Sequence, residues 1–492
     1  MRRSRVGRCE ARLYAGALTP PLSVAPKRTS LLLTLQIFDT MHRRKVPFEP
    51  RVPGEVAMYV CGPTVYDVPH LGHGRTALTY DTIRRYLAWS GFDVTVASNV
   101  TDIDDKIIAR AEREGRTEPD VAAEFTATYD AEMARLDILP AQTRPHATQF
   151  IEGMIEIIST LIERGAAYVV EGKGVYFSVA GLADYGRLAG RTLDQLLEDA
   201  GSRVEVDPDK RSPLDFALWK STKSGEPSWA TPWGEGRPGW HTECVAMSLA
   251  ALGPGFDIHG GGDDLAFPHH QNEWAQAEAI GEQFARIWVH SAMVNVGGEK
   301  MSKSLGNFTN LAAAIDEVGP RAVRLLVLQT HYRRAMEMGR DSLAAAAEAI
   351  KRLDALGRRM NSAGIDPGSL SDPDAGDLDR FRSAMDDDFG TPAAVDQAFT
   401  LIRQANTALD GDDIEGARRL AGTAGAIFDV LGLGFIAAQG SGADGGVDAL
   451  IAERTQARAD RDYARSDEIR DELAAQGILI EDTSSGTVWH RA

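Results

Sequence analysis

Two histidines three residues apart are the first side chains whose type and spacing indicate chemistry. His70 and His73, separated by Leu71 and Gly72, precede a segment with helical apolar spacing. A helix that begins here directs backbone N–H groups and its positive end at an anion. Imidazoles at that point can stabilise negative charge that develops on a phosphate during attack by a carboxylate. Taken alone, the pattern H-x-G-H is equally typical of surface histidines at a helix start.

Two lysines form a second pattern. Lys300 and Lys303 lie in the string K-M-S-K-S, between an apolar hairpin-like segment at 294–298 and a glycine at 306, which is typical of a loop. Two flexible ammonium groups can follow a pyrophosphate as it separates, and so stabilise the transition state more than the ground state. A string this specific is rare by chance, so together with the histidines it predicts a clamp for the β- and γ-phosphates of a nucleotide.

Thiol, imidazole and carboxylate groups form a third pattern. Cys61 ends an apolar run, Cys244 lies far along the chain, and His269 and Glu273 are four residues apart at the start of a predicted helix, hence on one face. Two thiolates, one imidazole and one carboxylate suit Zn²⁺. Two buried free cysteines and a helix-capping histidine are the alternative, because the long spacing matches no compact zinc finger.

The elements that must position these groups follow an α/β pattern. An apolar run at 57–61, a helical pattern at 74–89 and a β-branched run at 93–98 predict a strand, a helix and a parallel strand. Strands at 255–262 and 287–296, separated by a helix at 267–280, resume the pattern. The stretch 115–235 between them reads as an insertion with two helices, a hairpin at 167–179 and a polar Gly/Pro-rich part at 201–238.

The last third of the chain is different in character. Helical patterns from about 341, then at 376–388, 393–409 and 414–432, predict a helical bundle. A Gly/Ala/Ser-rich linker at 437–446 precedes a final unit. In that unit Arg454, Arg458, Arg461 and Arg465 have the spacing of one helix face, which predicts either an ion-paired solvated stripe or an RNA contact.

Composition sets the outer limits. The 492 residues predict three or four domains, and no apolar run reaches the ~18 residues that cross a bilayer, which excludes a membrane protein. Three cysteines are too few for a disulfide framework. The net charge of -18 argues against coating nucleic acid through the overall field, although local basic surfaces remain open. The first 30 residues are rich in arginine and poor in acids, which fits either a start codon placed too far upstream or an organelle transit peptide.

The two signatures together resemble those of class I aminoacyl-tRNA synthetases. Four further segments, at 59–67, 99–106, 239–244 and 259–270, resemble cysteinyl-tRNA synthetases in the same order, and the similarity spans about 37–492. Two departures, Leu71 for the commoner isoleucine and Gln271 for glutamate, remove no proposed ligand. The resemblance implies that Cys61, Cys244, His269 and Glu273 bind one zinc ion per chain, which ligates the substrate thiolate.

Membership would also assign the other sites. The resemblance implies catalytic roles for His70, His73, Lys300 and Lys303, and ATP contacts for His70, His73, Lys303 and His259. It places four residues around the amino acid, namely Gly62, Thr101, Trp240 and Asp264. The implied partners are L-cysteine, ATP with Mg²⁺, and tRNA(Cys), and we expect a monomeric, cytoplasmic enzyme without a membrane partner.

The expected architecture is a Rossmann-like α/β catalytic domain with an insertion, followed by an α-helical bundle and a small C-terminal α/β unit. The expected boundaries are a disordered N-terminal extension (1–36), the first catalytic half (37–118), the inserted connective region (119–238), the second catalytic half (239–296), the signature loop with a stem-contact region (297–340), a tRNA-binding helical bundle (341–436), a linker (437–446) and an anticodon-binding unit (447–492).

Two rivals remain at this point. A ligase that joins cysteine to an amino sugar, as in mycothiol synthesis, resembles the same core and zinc site but has little reason to carry some 150 extra C-terminal residues. A non-catalytic zinc- and RNA-binding relative would be expected to lose His70, His73 or Lys303, all of which are present.

Overall fold

A computed structural model describes most of the chain. The described residues are 35–182, 184–201, 209–223, 225–296, 299–300, 310–366, 370, 373–434, 445–475, 478–483 and 486–491. Lys303, nearly all of the expected N-terminal extension and most of the expected linker lie outside them. Lys300 is described through its backbone only.

The elements alternate between strands and helices in the first two thirds and are mainly helical afterwards. The helices are α1 (Leu71–Trp89), α2 (Asp105–Glu114), α3 (Glu118–Arg135), α4 (Ile151–Glu163), α5 (Leu193–Gly201), α6 (Trp240–Leu252), α7 (Gln271–Ile280), α8 (Leu311–Val318), α9 (Pro320–Leu328), α10 (Arg340–Ser362), α11 (Ala375–Asp386), α12 (Thr391–Asp410), α13 (Ile414–Val430), α14 (Gly445–Ala459) and α15 (Tyr463–Ala475). The strands are β1 (Gln36–Asp39), β2 (Arg44–Pro47), β3 (Glu55–Val60), β4 (Asp93–Ser98), β5 (Ala167–Val170), β6 (Gly174–Phe177), β7 (Phe216–Ser221), β8 (Gly236–Pro238), β9 (Phe256–Gly262), β10 (Ala285–Ser291), β11 (Val294–Val296), β12 (Glu299–Lys300), β13 (Met336–Glu337), β14 (Ile478–Thr483) and β15 (Gly486–Arg491).

The catalytic part is built on a four-stranded parallel sheet in the order β10-β9-β3-β4. The helix α1 connects β3 to β4, and α7 connects β9 to β10, as parallel strands require. Met58 and Tyr59 of β3 are fully buried, which fits the continuous apolar runs of a sheet covered on both faces. The predicted Rossmann-like fold, interrupted by an insertion, is confirmed.

One predicted strand is wrong in its extent. The segment 287–296 is not one strand, because β10 ends at Ser291 and the chain leaves the parallel sheet. The Ala292 N–H then donates to the Tyr332 carbonyl at 2.8 Å. As a result β11 joins a separate three-stranded sheet, in the order β12-β11-β13.

The inserted region has its own antiparallel sheet, β5-β6-β7-β8. The hairpin predicted at 167–179 is confirmed by β5 and β6, with Val170 opposite Gly174. The stretch 201–238, described from the sequence as polar and rich in glycine and proline, contains β7 and β8. Burial explains these strands, since Phe216, Leu218 and Trp219 of β7 pack into an apolar cluster with residues of α4.

The predicted helical bundle is formed by α10 to α13, and its core is continuous with that of the parallel sheet. Asp388, which follows α11, is fully buried and links the bundle to the catalytic part. Its carboxylate accepts hydrogen bonds from the Phe38 N–H at 2.8 Å, the Tyr332 hydroxyl at 2.6 Å and the Arg333 Nε at 2.6 Å.

The C-terminal unit consists of α14, α15 and the hairpin β14-β15, and one apolar cluster is made entirely of its own residues. The predicted single-helix arginine stripe is wrong, because α14 ends at Ala459 and α15 begins at Tyr463. Arg461 lies between them with a φ of 63°, which breaks the helix. Arg454 is buried, and Arg465 pairs with Glu453 and Glu468.

Within the described ranges, no helix has both the length and the apolar character needed to span a membrane.

Candidate active site

The H-x-G-H segment forms the first turn of α1. His70 is the N-cap residue, and its Nδ1 accepts a hydrogen bond from the His73 N–H at 3.3 Å. In return, the His73 Nδ1 accepts from the His70 N–H at 3.2 Å, and the two rings stack with their centroids 3.8 Å apart. This reciprocal cap holds both imidazoles at the positive end of a 19-residue helix.

The backbone of Gly62, directly after β3, packs closely against Asn99. The Gly62 N–H donates to the Asn99 Oδ1 at 2.8 Å, and a Cβ atom on Gly62 would lie 1.8 Å from the Asn99 carbonyl oxygen. Only glycine fits there. The Asn99 amide also donates to the Thr101 hydroxyl at 3.2 Å, so two predicted substrate-binding residues share one partner.

The fold brings the four predicted metal ligands into one buried cluster. The candidate ligand atoms of Cys61, Cys244, His269 and Glu273 all lie within 4.8 Å of one another. The Cys61 Sγ is 3.6 Å from the Cys244 Sγ and 3.6 Å from the Glu273 Oε1, and the His269 Nε2 is 2.9 Å from that same oxygen. A second possible set shares two of these residues and adds His259 and His270.

Electrostatics in the cluster favour a cation. Burial opposes ionisation of Glu273, but His259 and His269 hold its pKa well below the ordinary value. Burial likewise opposes protonation of His269, but Glu273 and Cys244 raise its pKa to about 10. A hydrogen bond from the Cys61 thiol lowers the pKa of Cys244 to about 6 against the effect of burial. The cluster thus concentrates a thiolate and a carboxylate in a dry site, which fits the donor set of Zn²⁺.

One predicted substrate-binding residue contacts a member of this cluster, and another contacts Glu243, the neighbour of Cys244 in the chain. Trp240, the first residue of α6, stacks on the His269 ring with centroids 4.0 Å apart. The Thr101 hydroxyl donates to the Glu243 Oε2 at 2.9 Å. Burial raises the pKa of Glu243 well above its ordinary value, so this carboxyl group favours its neutral form.

Three further imidazoles next to the cluster, two of them buried, were not predicted from the sequence. The Nδ1 atoms of His241 and His269 are 2.9 Å apart, and the His270 Nδ1 is 2.8 Å from the His290 Nε2. The His290 Nδ1 in turn lies 2.8 Å from the Thr40 hydroxyl. His241 and His270 lie within segments that already carried the family resemblance, whereas His290 is supplied by another strand and has no local signal.

The remaining predicted residues have less direct places. His259 is fully buried, and its Nε2 lies 2.6 Å from the Glu273 Oε2, so it contacts a proposed metal ligand. Asp264 is exposed in a short turn after β9, beside Gly262. Lys300 lies in β12, with its backbone opposite Asn295 of β11.

Comparisons with known proteins identify the class of the catalytic domain. Residues 47–348 match the model of the class I (C) tRNA synthetase catalytic domain. The fold is similar to that of Mycobacterium tuberculosis methionyl-tRNA synthetase, with a TM-score of 0.57 over 77% of this chain and 90% of that one, at 15% identity. A LeuRS from Agrobacterium radiobacter aligns with a TM-score of 0.56 at 12% identity, over 78% of this chain and 84% of that one. The catalytic domain is that of a class I aminoacyl-tRNA synthetase.

Sequence relatives identify the family within this class. The cysteine–tRNA ligase of Alkalilimnicola ehrlichii is 46% identical over 93% of this chain and 100% of its own length. That of Nitratidesulfovibrio vulgaris is 45% identical over 92% and 99%. Residues 380–436 match the DALR domain, and 441–489 match the cysteinyl-tRNA ligase anticodon-binding domain. The chain belongs to the cysteine–tRNA ligase family.

Proposed function

We propose that this protein activates L-cysteine with ATP to cysteinyl-adenylate and transfers the cysteinyl group to the 3′ end of tRNA(Cys). The observation that carries the proposal is the buried set of Cys61, Cys244, His269 and Glu273. The same catalytic domain has two stacked histidines at the start of α1. A thiol-selecting site on a nucleotide-activating fold fits cysteine as the substrate.

These four residues would hold one zinc ion per chain. The fit rests on their buried thiol, imidazole and carboxylate donors, whose atoms already lie together. When bound, the zinc ion would ligate the thiolate of the substrate. His259 would support the site by holding the second oxygen of Glu273, and we retain a contact of His259 with the adenylate as part of the proposal.

The histidines and lysines would act on the triphosphate. In adenylation a carboxylate oxygen of cysteine attacks the α-phosphorus of Mg²⁺-bound ATP, and the bond to the bridging oxygen of the β-phosphate breaks to release pyrophosphate. His70 and His73 would stabilise charge on the α-phosphate, aided by the N-terminus of α1. Lys300 and Lys303 would neutralise the departing pyrophosphate.

Four residues would surround the amino acid. Trp240 stacks on the proposed ligand His269, and Thr101 hydrogen-bonds to Glu243 next to Cys244. Gly62 would approach through its backbone. Asp264 would contact the ammonium group from the turn after β9. Cysteine would therefore be held at both ends, with its carboxylate directed at ATP.

The second step transfers the cysteinyl group from the adenylate to tRNA. A ribose hydroxyl at the tRNA 3′ end attacks the cysteinyl carbonyl and releases AMP. The helical bundle and the C-terminal unit would hold the tRNA. We further propose a monomer that acts in the cytoplasm, where the buried free thiols of Cys61 and Cys244 would stay reduced.

The decisive assay is ATP–pyrophosphate exchange that depends on cysteine, followed by charging with and without tRNA. A ligase for an amino sugar is not favoured, because residues 441–489 match an anticodon-binding domain. Failure to charge any tRNA, together with coupling of cysteine to an amino sugar, would refute the proposal.

Replacing Lys303 with alanine is expected to lower the rate constant of adenylation by about 10²–10³-fold, because its donor acts on charge that develops in the transition state. Cysteine affinity should change much less. Single-turnover formation of the adenylate measures both. Lys351→Ala is the control, because Lys351 forms an exposed pair with Glu348 on α10. Weakened ATP binding with an unchanged rate constant would contradict the role.

Deleting residues 437–492 is expected to leave cysteine-dependent pyrophosphate exchange intact and to depress tRNA charging. The deleted unit has an apolar cluster of its own, built around Val447, Ile469 and Leu473. The truncation keeps the carbonyl groups of Leu433 and Gly434, which accept hydrogen bonds from Arg321. Equal loss of exchange and charging would show that the unit supports the catalytic part itself.

A further inference from the structure

Arg75 is a buried cation whose role the proposed mechanism does not explain. It lies on α1 two residues after His73 and is 2% exposed. Throughout the part of the chain that the structure describes, no carboxylate pairs with it, and burial lowers its pKa to about 10. A buried charge without a counter-ion is strongly unfavourable unless hydrogen bonds compensate it.

The compensation comes from three backbone carbonyls. The Arg75 Nη1 donates to the Met293 oxygen at 2.6 Å, and the Nη2 donates to the Tyr332 oxygen at 3.3 Å and to the Arg334 oxygen. Two of these oxygens also join the segments to each other. Met293 accepts from the Met336 N–H at 3.2 Å, and Tyr332 accepts from the Ala292 N–H. Arg75 therefore lies where segments 292–294 and 332–336 meet.

The chain between these two segments carries the lysine signature. Directly after Met293, β11 begins and pairs with β12, which places Asn295 opposite Lys300. Beyond the signature, the Leu311 N–H donates to the Pro69 carbonyl at 3.2 Å. This stretch of chain is thus attached near the H-x-G-H turn at one point and to α1 through Arg75 at another.

We propose that Arg75 is a positioning residue for adenylation, which fixes the sheet that carries Lys300 relative to the helix that carries His70 and His73. The inference rests on the proposed function. Arg75 acts through Lys300 and is not itself a catalytic residue. A displacement of about 1 Å at the reacting groups can lower a rate by ~10²-fold. Lysine cannot replace the planar fork that reaches three carbonyls.

The test compares Arg75→Lys with Arg324→Lys. Arg324 on α9 is also buried, at 1% exposure, but it donates to the Asp81 carboxylate at 2.6 Å and to the Leu136 carbonyl at 2.7 Å. Both variants lose a buried guanidinium. We expect single-turnover adenylation to fall about 10- to 100-fold in Arg75→Lys and to stay within about twofold in Arg324→Lys. The dissociation constant of cysteine should stay within about twofold in both.

A second arm asks whether Arg75 acts through the lysine signature. In a Lys300→Ala background, Arg75→Lys should lower the adenylation rate by no more than about threefold, because the group that it positions is already absent. An undiminished loss in that background overturns the inference. An Arg75→Lys rate within about threefold of the Arg324→Lys rate does so as well. If Arg75→Lys does not fold, Arg75→Gln takes its place.

Hydrogen exchange provides a readout that needs no activity. The amides of Ala292 and Met336 should exchange faster in Arg75→Lys than in Arg324→Lys, because their acceptor carbonyls lose the anchor. Suppose that the unmodified protein makes no cysteinyl-adenylate, but that these amides exchange faster in Arg75→Lys. That result would refute the proposed function and would still support the structural role of Arg75. Unchanged exchange together with an unchanged rate, in a protein that does activate cysteine, would refute the role of Arg75 alone.

Discussion

Cys244→Ser is expected to abolish zinc binding and cysteine activation together. The unmodified protein should contain about one zinc per chain, and the variant less than about a tenth of that. Activation should fall by at least ~10³-fold, because the site recognises cysteine through one specific bond to zinc, and the variant cannot form that bond. Metal analysis of the purified protein and cysteine-dependent pyrophosphate exchange measure the two effects.

Two controls separate metal loss from misfolding. Ser248→Ala lies one turn further along α6 and removes a buried hydroxyl whose hydrogen bond stays within the helix. Cys9→Ser removes the third thiol, to which we assign no role. Both variants should retain zinc and activity. A Cys244→Ser protein that keeps full exchange activity without zinc would refute the proposed ligand set.

The cluster shows what the sequence can predict about a site. The four-residue spacing of His269 and Glu273 placed one half on a single helix face before any fold was known. Local pattern could not join Cys61 to Cys244. Cys61 directly follows β3 and Cys244 lies on α6, and they meet only because the two halves of the parallel sheet associate. Resemblance to a family supplied that connection, and in the structure the candidate ligand atoms of the four residues lie within 4.8 Å of one another.

Other features of the structure could not be predicted from the sequence, for physical reasons. Arg75 is one arginine in a helix, and its three acceptors are backbone carbonyls, which carry no residue type to recognise. His290 reaches the site from β10, across the sheet. The arginine spacing at 454–465 fitted one helix, but the left-handed conformation of Arg461 ended it. Periodicity predicts faces of elements well and does not detect single residues that break them.

The overall architecture was easier to predict from the sequence than these details. The apolar run at β3 predicted a buried strand, and it lies in a parallel sheet that is covered on both faces. By contrast, β7 and β8 lie in a stretch rich in glycine and proline, and their strand character depends on the burial of Phe216 and Trp219 against the rest of the insertion. Tertiary contacts decided the outcome where local propensity was weak.

The largest expected effect is discrimination against serine, by ~10⁴–10⁵-fold in kcat/KM, which corresponds to about 5.5–7 kcal/mol. Serine and cysteine differ by one atom of similar size, and a pocket that reads shape alone would separate them by only ~10²-fold. A soft thiolate binds Zn²⁺ strongly, whereas a serine hydroxyl stays protonated and keeps its hydration. No hydrolytic correction step is then needed, so adding tRNA should not increase ATP consumption in the presence of serine. Cadmium substitution offers a direct measurement, because a sulfur-to-metal absorption band should grow on adding cysteine and stay unchanged with serine. Metal-free protein that activates cysteine at the full rate and still rejects serine would show that selection lies elsewhere.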